Sequence, residues 1–171
     1  MLRALGPRVK QSSPAYGDPS DLIHNMLSLD PRRPTAQSPP MTDLTPPFGG
    51  HCLCGAVRYT CTATPLWQSH CHCESCRRAT SSPFTSFLGV ADGHWRWSAA
   101  PPATYNSSPG VWCDFCPRCG SQMAYRAARF PGEIHFYAAS LDGPAAYTPE
   151  NHVLSAEMLP WVHLNDGLPR T

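Results

Sequence analysis

The sequence predicts a mainly β protein, made of short antiparallel strands and stabilised by zinc. Three observations carry this. Short stretches rich in β-formers alternate in polarity, tight-turn pairs such as Asp-Gly and Pro-Gly separate them, and most of the nine cysteines are clustered. The clusters are Cys52-Leu53-Cys54, Cys71-His72-Cys73-Glu74-Ser75-Cys76 and Cys116-Pro117-Arg118-Cys119.

Taken in chain order, residues 1–47 stand apart. They hold Pro7, Pro14, Pro19, Pro31, Pro34, Pro39, Pro40, Pro46 and Pro47, and only Leu22-Ile23 and Met26-Leu27 offer a short apolar helical face. Such a stretch cannot bury enough surface to order itself, so a disordered tail is expected. Met41 opens a run leading into the first cysteine pair, and an alternative start there is a further expectation. The zinc domain is expected over residues 48–169. Residues 56–61 alternate as a strand, and residues 85–90 read as a strand whose hairpin partner, 94–97, lies across Asp92-Gly93. Residues 122–126 and 133–138 form a second expected hairpin around Pro131-Gly132, and residues 152–154 a weaker final strand. The one helical signal is a turn from Glu74 to Ala79.

Charge and composition remove several classes. Thirteen Lys and Arg against twelve Asp and Glu give a formal net charge of +1, with no basic stripe, so no nucleic acid partner is expected. No apolar run reaches the ~18 residues of a membrane span, and the first residues lack the apolar core of a secretory signal. An odd cysteine count with Cys-x-Cys spacing argues against a disulfide framework. Thiolate clusters need a reducing compartment, which makes the cytoplasm the expected location.

The two-three-two grouping of cysteines is the most informative pattern. Cys52, Cys54, Cys116 and Cys119 complete a four-sulfur structural zinc site of the ribbon type, each knuckle followed by a glycine (Gly55, Gly120). Cys71, Cys73 and Cys76 are one ligand short. Either a histidine or Cys113 completes a second structural site, or the fourth position is left for a substrate. His72 and His70 are poor fourth ligands, being neighbours of ligating residues. Three thiolates around zinc leave one net negative charge and a weak Lewis acid, so a soft thiolate suits the open position better than hydroxide. Arg77 and Arg78 follow at once and either offset that charge and bind substrate or simply face solvent. Cys61 and Cys113 read as spectators. Glu74, Asp114 and His152 are the candidate bases.

These residues, in this order, resemble the glutathione-dependent formaldehyde-activating enzyme family, which also includes centromere protein V. The matching stretches are residues 49–59, 71–78, 115–121 and 140–144, then His152, Trp161 and residues 166–169. The resemblance implies a β-tent-like fold with two Zn(II) ions per chain: a structural one on Cys52, Cys54, Cys116 and Cys119, and a reactive one on Cys71, Cys73 and Cys76. It also implies condensation of glutathione with formaldehyde to S-(hydroxymethyl)glutathione, a carbon–sulfur lyase reaction in reverse, with a small thiol and an aldehyde as partners. Two departures are visible: residues 79–84 read Ala-Thr-Ser-Ser-Pro-Phe where relatives often carry a glycine turn, and Cys113 stands where arginine is common. The alternative is a non-catalytic thiol carrier or a zinc-stabilised binding or adaptor module.

Overall fold

A computed structural model describes residues 44–171. The expected disordered tail up to residue 43, and the alternative start at Met41, lie outside the described residues. Leu44 is buried in the core, upstream of the expected domain start at Phe48.

The architecture is mainly β. A three-stranded antiparallel sheet is formed by β1 (Phe48–His51), β2 (Arg58–Cys61) and β5 (Trp95–Trp97) in the order β1-β2-β5. A seven-stranded sheet contains β3 (Trp67–Cys71), β4 (Thr85–Ala91), β6 (Ala103–Ser108), β7 (Val111–Phe115), β8 (Gln122–Ala127), β9 (Glu133–Tyr137) and β10 (Asn151–Val153). Its order is β10-β3-β4-β9-β8-β7-β6. All its pairings are antiparallel except β10 with β3, which is parallel. Among the described residues one α-helix, α1 (Glu74–Thr80), follows β3.

The hairpin expected across Pro131-Gly132 is present as β8 and β9. The one expected across Asp92-Gly93 is not. The turn is there, with His94 N–H bonded to Ala91 C=O at 3.2 Å, but β5 leaves the plane of β4 and pairs with β2 instead. The reason is burial on both sides of the gap. Leu88 and Val90 on β4 are fully buried, and Trp95 and Trp97 reach the same core from the opposite sheet. Crossing between sheets buries both sets at once, which a flat hairpin cannot do.

Between the sheets, the ring of Tyr59 on β2 stacks on Phe136 of β9, with centroids 3.9 Å apart. Trp95 and Trp97 meet Phe136 edge-on at 5.7 and 5.8 Å. Val57, Cys61, Met123 and Ile134 close the same core. On the outer face of the large sheet a second, smaller cluster joins Cys71, Phe87 and Tyr137, with Trp67, Tyr125 and Cys76 packed against it.

Helix α1 ends at Ser81, which adopts φ 52°, ψ 34° and donates its N–H to Arg77 C=O. A left-handed conformation costs a residue with a Cβ about 1 kcal/mol, and glycine is free of it. Ser81→Gly should therefore raise the stability of the domain by up to about 1 kcal/mol, seen as a higher melting temperature at unchanged zinc content.

Candidate metal centres

The first centre is built at the ends of two strands. Cys52 follows β1, and Cys116 follows β7. Each begins a turn closed by a glycine: Gly55 N–H donates to Cys52 C=O three residues back at 2.9 Å, and Gly120 N–H donates to Cys116 C=O four residues back at 2.9 Å. Both glycines have positive φ, 72° and 76°, which lets the chain fold back over sulfur without a Cβ penalty. The four Sγ atoms of Cys52, Cys54, Cys116 and Cys119 all lie within 4.8 Å of one another. Ser121 ties the two turns together: its hydroxyl accepts from Leu53 N–H at 3.1 Å and lies 3.2 Å from Cys119 Sγ. Cys119 is held down to about 5. Burial opposes ionisation, but the hydroxyl and amide of Ser121 and the amide of Cys54 outweigh it. Cys54 is pushed up to about 11, because burial and the neighbouring sulfurs exceed the hydrogen bond from Ala56. Four thiols this close compete for protons, and a divalent cation relieves the competition by holding all four as thiolates.

The second centre sits where β3 runs into α1. Cys71 is the last residue of β3, Cys73 is the N-cap of α1, and Cys76 lies in its first turn. Cys76 N–H donates to Cys73 Sγ at 3.3 Å, so the capping atom is itself one of the three sulfurs. Their Sγ atoms also fall within 4.8 Å of one another, and among the described residues no fourth Cys, His, Asp or Glu atom joins them. Cys71 is held down to about 6, chiefly by hydrogen bonding from Cys76 and then by Cys73, against burial. Cys76 is pushed up by its bond to Cys71 and by burial. All nine cysteines are free thiols, so neither cluster is spent on a disulfide. Sulfur donors at this spacing fit a zinc ion in both places.

The groups around the triplet sort clearly. Neither neighbouring histidine completes it. His70 Nδ1 bonds to Ser86 Oγ at 2.8 Å, and His72 Nε2 bonds to His152 Nδ1 at 2.9 Å. Cys113 lies outside the cluster, and burial pushes its thiol up. Cys61 is fully buried and pushed up to about 12 by that burial, which makes it inert. Arg77 donates from Nε to His72 C=O at 3.0 Å, while Arg78 pairs with Glu74 at 2.7 Å. Both arginines line a groove of about 340 Å³ beside α1, together with Ser81, Ser82, Leu159 and Trp161.

Of the candidate bases, Asp114 is fully committed. It is 1% exposed, receives both Nε and a terminal nitrogen of Arg126 at 3.0 and 2.9 Å, and accepts from Thr104 at 2.6 Å. Glu74 is exposed and paired with Arg78. His152 is buried, bonded to His72 on one side and to Asp166 Oδ2 at 2.9 Å on the other. Sequence reasoning missed this three-residue chain, because nothing in the spacing of residues 72, 152 and 166 signals it.

Among the described residues no helix is long and apolar enough to cross a membrane. The family model of the glutathione-dependent formaldehyde-activating enzyme matches residues 47–157. A Halomonas elongata protein provisionally named as a glutathione-dependent formaldehyde-activating enzyme is 30% identical over 125 residues, 67% of this chain and 79% of the relative. An uncharacterized lyase of Schizosaccharomyces pombe is 29% identical over 87 residues, 47% of this chain and 58% of the relative. A crystal structure of a Rhodobacter sphaeroides protein aligns at a TM-score of 0.47 and 20% identity, over 72% of this chain and 99% of that one. With two thiol clusters of metal-site spacing on a β scaffold and a family model covering most of the described residues, the chain belongs to the glutathione-dependent formaldehyde-activating enzyme family.

Proposed function

We propose that the chain is a zinc-dependent enzyme acting on thiol–aldehyde adducts, of the type that joins glutathione and formaldehyde to S-(hydroxymethyl)glutathione. The zinc domain is residues 48–169, with Leu44 packed into its core and Thr171 bonded to His152, and nine free thiols fit a reducing compartment such as the cytoplasm. The observation that supports the reading is the three-thiol cluster that no fourth side chain completes among the described residues, placed at the start of a helix whose Arg77 and Arg78 line a groove. Cys52, Cys54, Cys116 and Cys119 would hold a structural zinc, and Cys71, Cys73 and Cys76 a reactive one.

A zinc ion at the triplet supplies a soft Lewis acid that favours a thiol in its deprotonated form. The reaction itself is an addition: the thiol sulfur bonds to the carbonyl carbon, the C=O π bond opens, and the thiol proton ends on the new hydroxyl. The chain's own residues bind and orient. Arg77, anchored through Nε on His72 C=O, lines the groove, where a carboxylate of the thiol would pair with its guanidinium. Arg78 reaches the same groove from its exposed pair with Glu74. Holding a substrate at two points in this way converts a collision into a bound encounter.

Thiols add to formaldehyde unaided, so the decisive measurement is a rate. Exchange spectroscopy on glutathione and formaldehyde should show faster interconversion with the adduct when zinc-loaded protein is added. Exchange no faster than in protein-free buffer would sink the enzyme reading and leave a thiol carrier.

A further inference from the structure

The chain His72–His152–Asp166 is explained by neither the sulfur ligands nor the groove. Both imidazoles are fully buried, and two contacts of 2.9 Å link the three residues. His72 lies between two thiols of the triplet, while Asp166 lies past residue 157, where the family model's match ends. The chemistry of the groups gives the chain a direction. An ionised carboxylate only accepts, so His152 Nε2–H donates to Asp166. Where His152 has one ring proton, its other nitrogen accepts, and His72 donates to it from Nε2. That leaves His72 Nδ1 as a bare acceptor, and it is buried with no partner.

The same C-terminal segment grips the triplet's backbone at two further points. His72 N–H donates to Val153 C=O at 3.1 Å, and Glu74 N–H at the start of α1 donates to Glu157 Oε2 at 2.7 Å. His152 is in turn clamped by the last residues, donating to Pro169 C=O at 2.8 Å and accepting from Thr171 N–H at 2.9 Å. The stretch from Cys71 to Glu74 is thus held through main chain, side chain and helix start by residues 152–166.

We propose that His152 and Asp166 are positioning residues for the three-thiol site. Acting through His72, they set the backbone between Cys71 and Cys73 so that the sulfurs stand ready for a metal, which makes the C-terminal segment part of the centre. The proposal rests on reading Cys71, Cys73 and Cys76 as a metal site. Partners that orient a metal site from outside its ligands typically change its affinity by about 10–100-fold.

The test compares zinc-loaded wild-type protein with Asp166→Ala and Asp166→Asn, by chelator competition and imidazole nitrogen NMR. Asp166→Ala should weaken the second zinc by about 10–100-fold while the four-thiol zinc stays bound, and the single Nε2–H form of His72 should become a mixture of tautomers. Asp166→Asn, whose amide oxygen still accepts from His152, should restore both. Two zinc ions in wild type with Asp166→Ala unchanged overturns the proposal alone. A wild-type chain that never holds a second zinc overturns it together with the reading of the triplet. If Asp166→Ala does not fold, the wild type decides: the His72–His152 bond must survive removal of the second zinc, and its loss would show that the bond follows the metal instead of preparing its site.

Discussion

Cys116→Ser is expected to unfold the domain. Cys116 is fully buried, its sulfur lies 3.8 Å from Cys54, and it sits in the same core as Tyr59, Leu88 and Phe136. The position of the site explains the size of the effect. Cys52 extends from β1 of the small sheet and Cys116 from β7 of the large one, so a metal ion held by the four sulfurs would staple the two sheets together. A structural zinc of this kind contributes on the order of 10 kcal/mol, comparable to or above the whole stability of a domain this size. Serine removes one thiolate and leaves a hydroxyl among apolar groups. The far-UV circular dichroism of the variant should lose its β signal, and metal analysis should find neither zinc retained. A variant that melts cooperatively near the wild-type temperature would contradict the structural assignment.

Cys73→Ser is expected to do the opposite: keep the fold and lose the chemistry. Serine is a better N-cap than cysteine, and its hydroxyl can accept the Cys76 N–H that Cys73 Sγ accepts now. The side chain is only half-buried, and Cys73 lies at the margin of the smaller cluster, away from the core between the sheets. Stability should therefore change by no more than about 1 kcal/mol. With two sulfurs left, the second zinc should fall away, and the rate of thiol–aldehyde exchange should drop by at least about 100-fold, toward the uncatalysed value. Zinc content falling from two to one per chain, with an unchanged melting curve, is the combination to look for. If Cys73→Ser unfolds as Cys116→Ser does, the triplet is structural and the enzyme reading fails with it.

Much of the site was legible before any coordinates because metal ligands are written locally. Two sulfurs one or two residues apart can converge on one ion, so the pairs 52/54 and 116/119 and the triplet 71/73/76 announce themselves by spacing. That the triplet falls one short of four sulfurs was also a matter of counting. Strands were less readable. Residues 67–71 and 103–108 are too polar or irregular to alternate clearly, and they become strands by pairing with neighbours already in place. Asp114 shows the limit in another way. Its sequence context offers a free carboxylate, and only the fold brings Arg126 and Thr104 onto it.

The sequence by itself determined the fold class, the two sulfur clusters and the arginines that follow the second. Each of these is encoded by residues within a few positions of one another, where short-range spacing dictates geometry. The tertiary structure alone decided that β5 joins the small sheet, that the first cluster gathers cysteines from the ends of both sheets, and that Asp166 reaches His72 through His152. Those contacts join residues 14 to 80 positions apart, and they exist only once burial of the apolar faces has chosen which strands lie side by side.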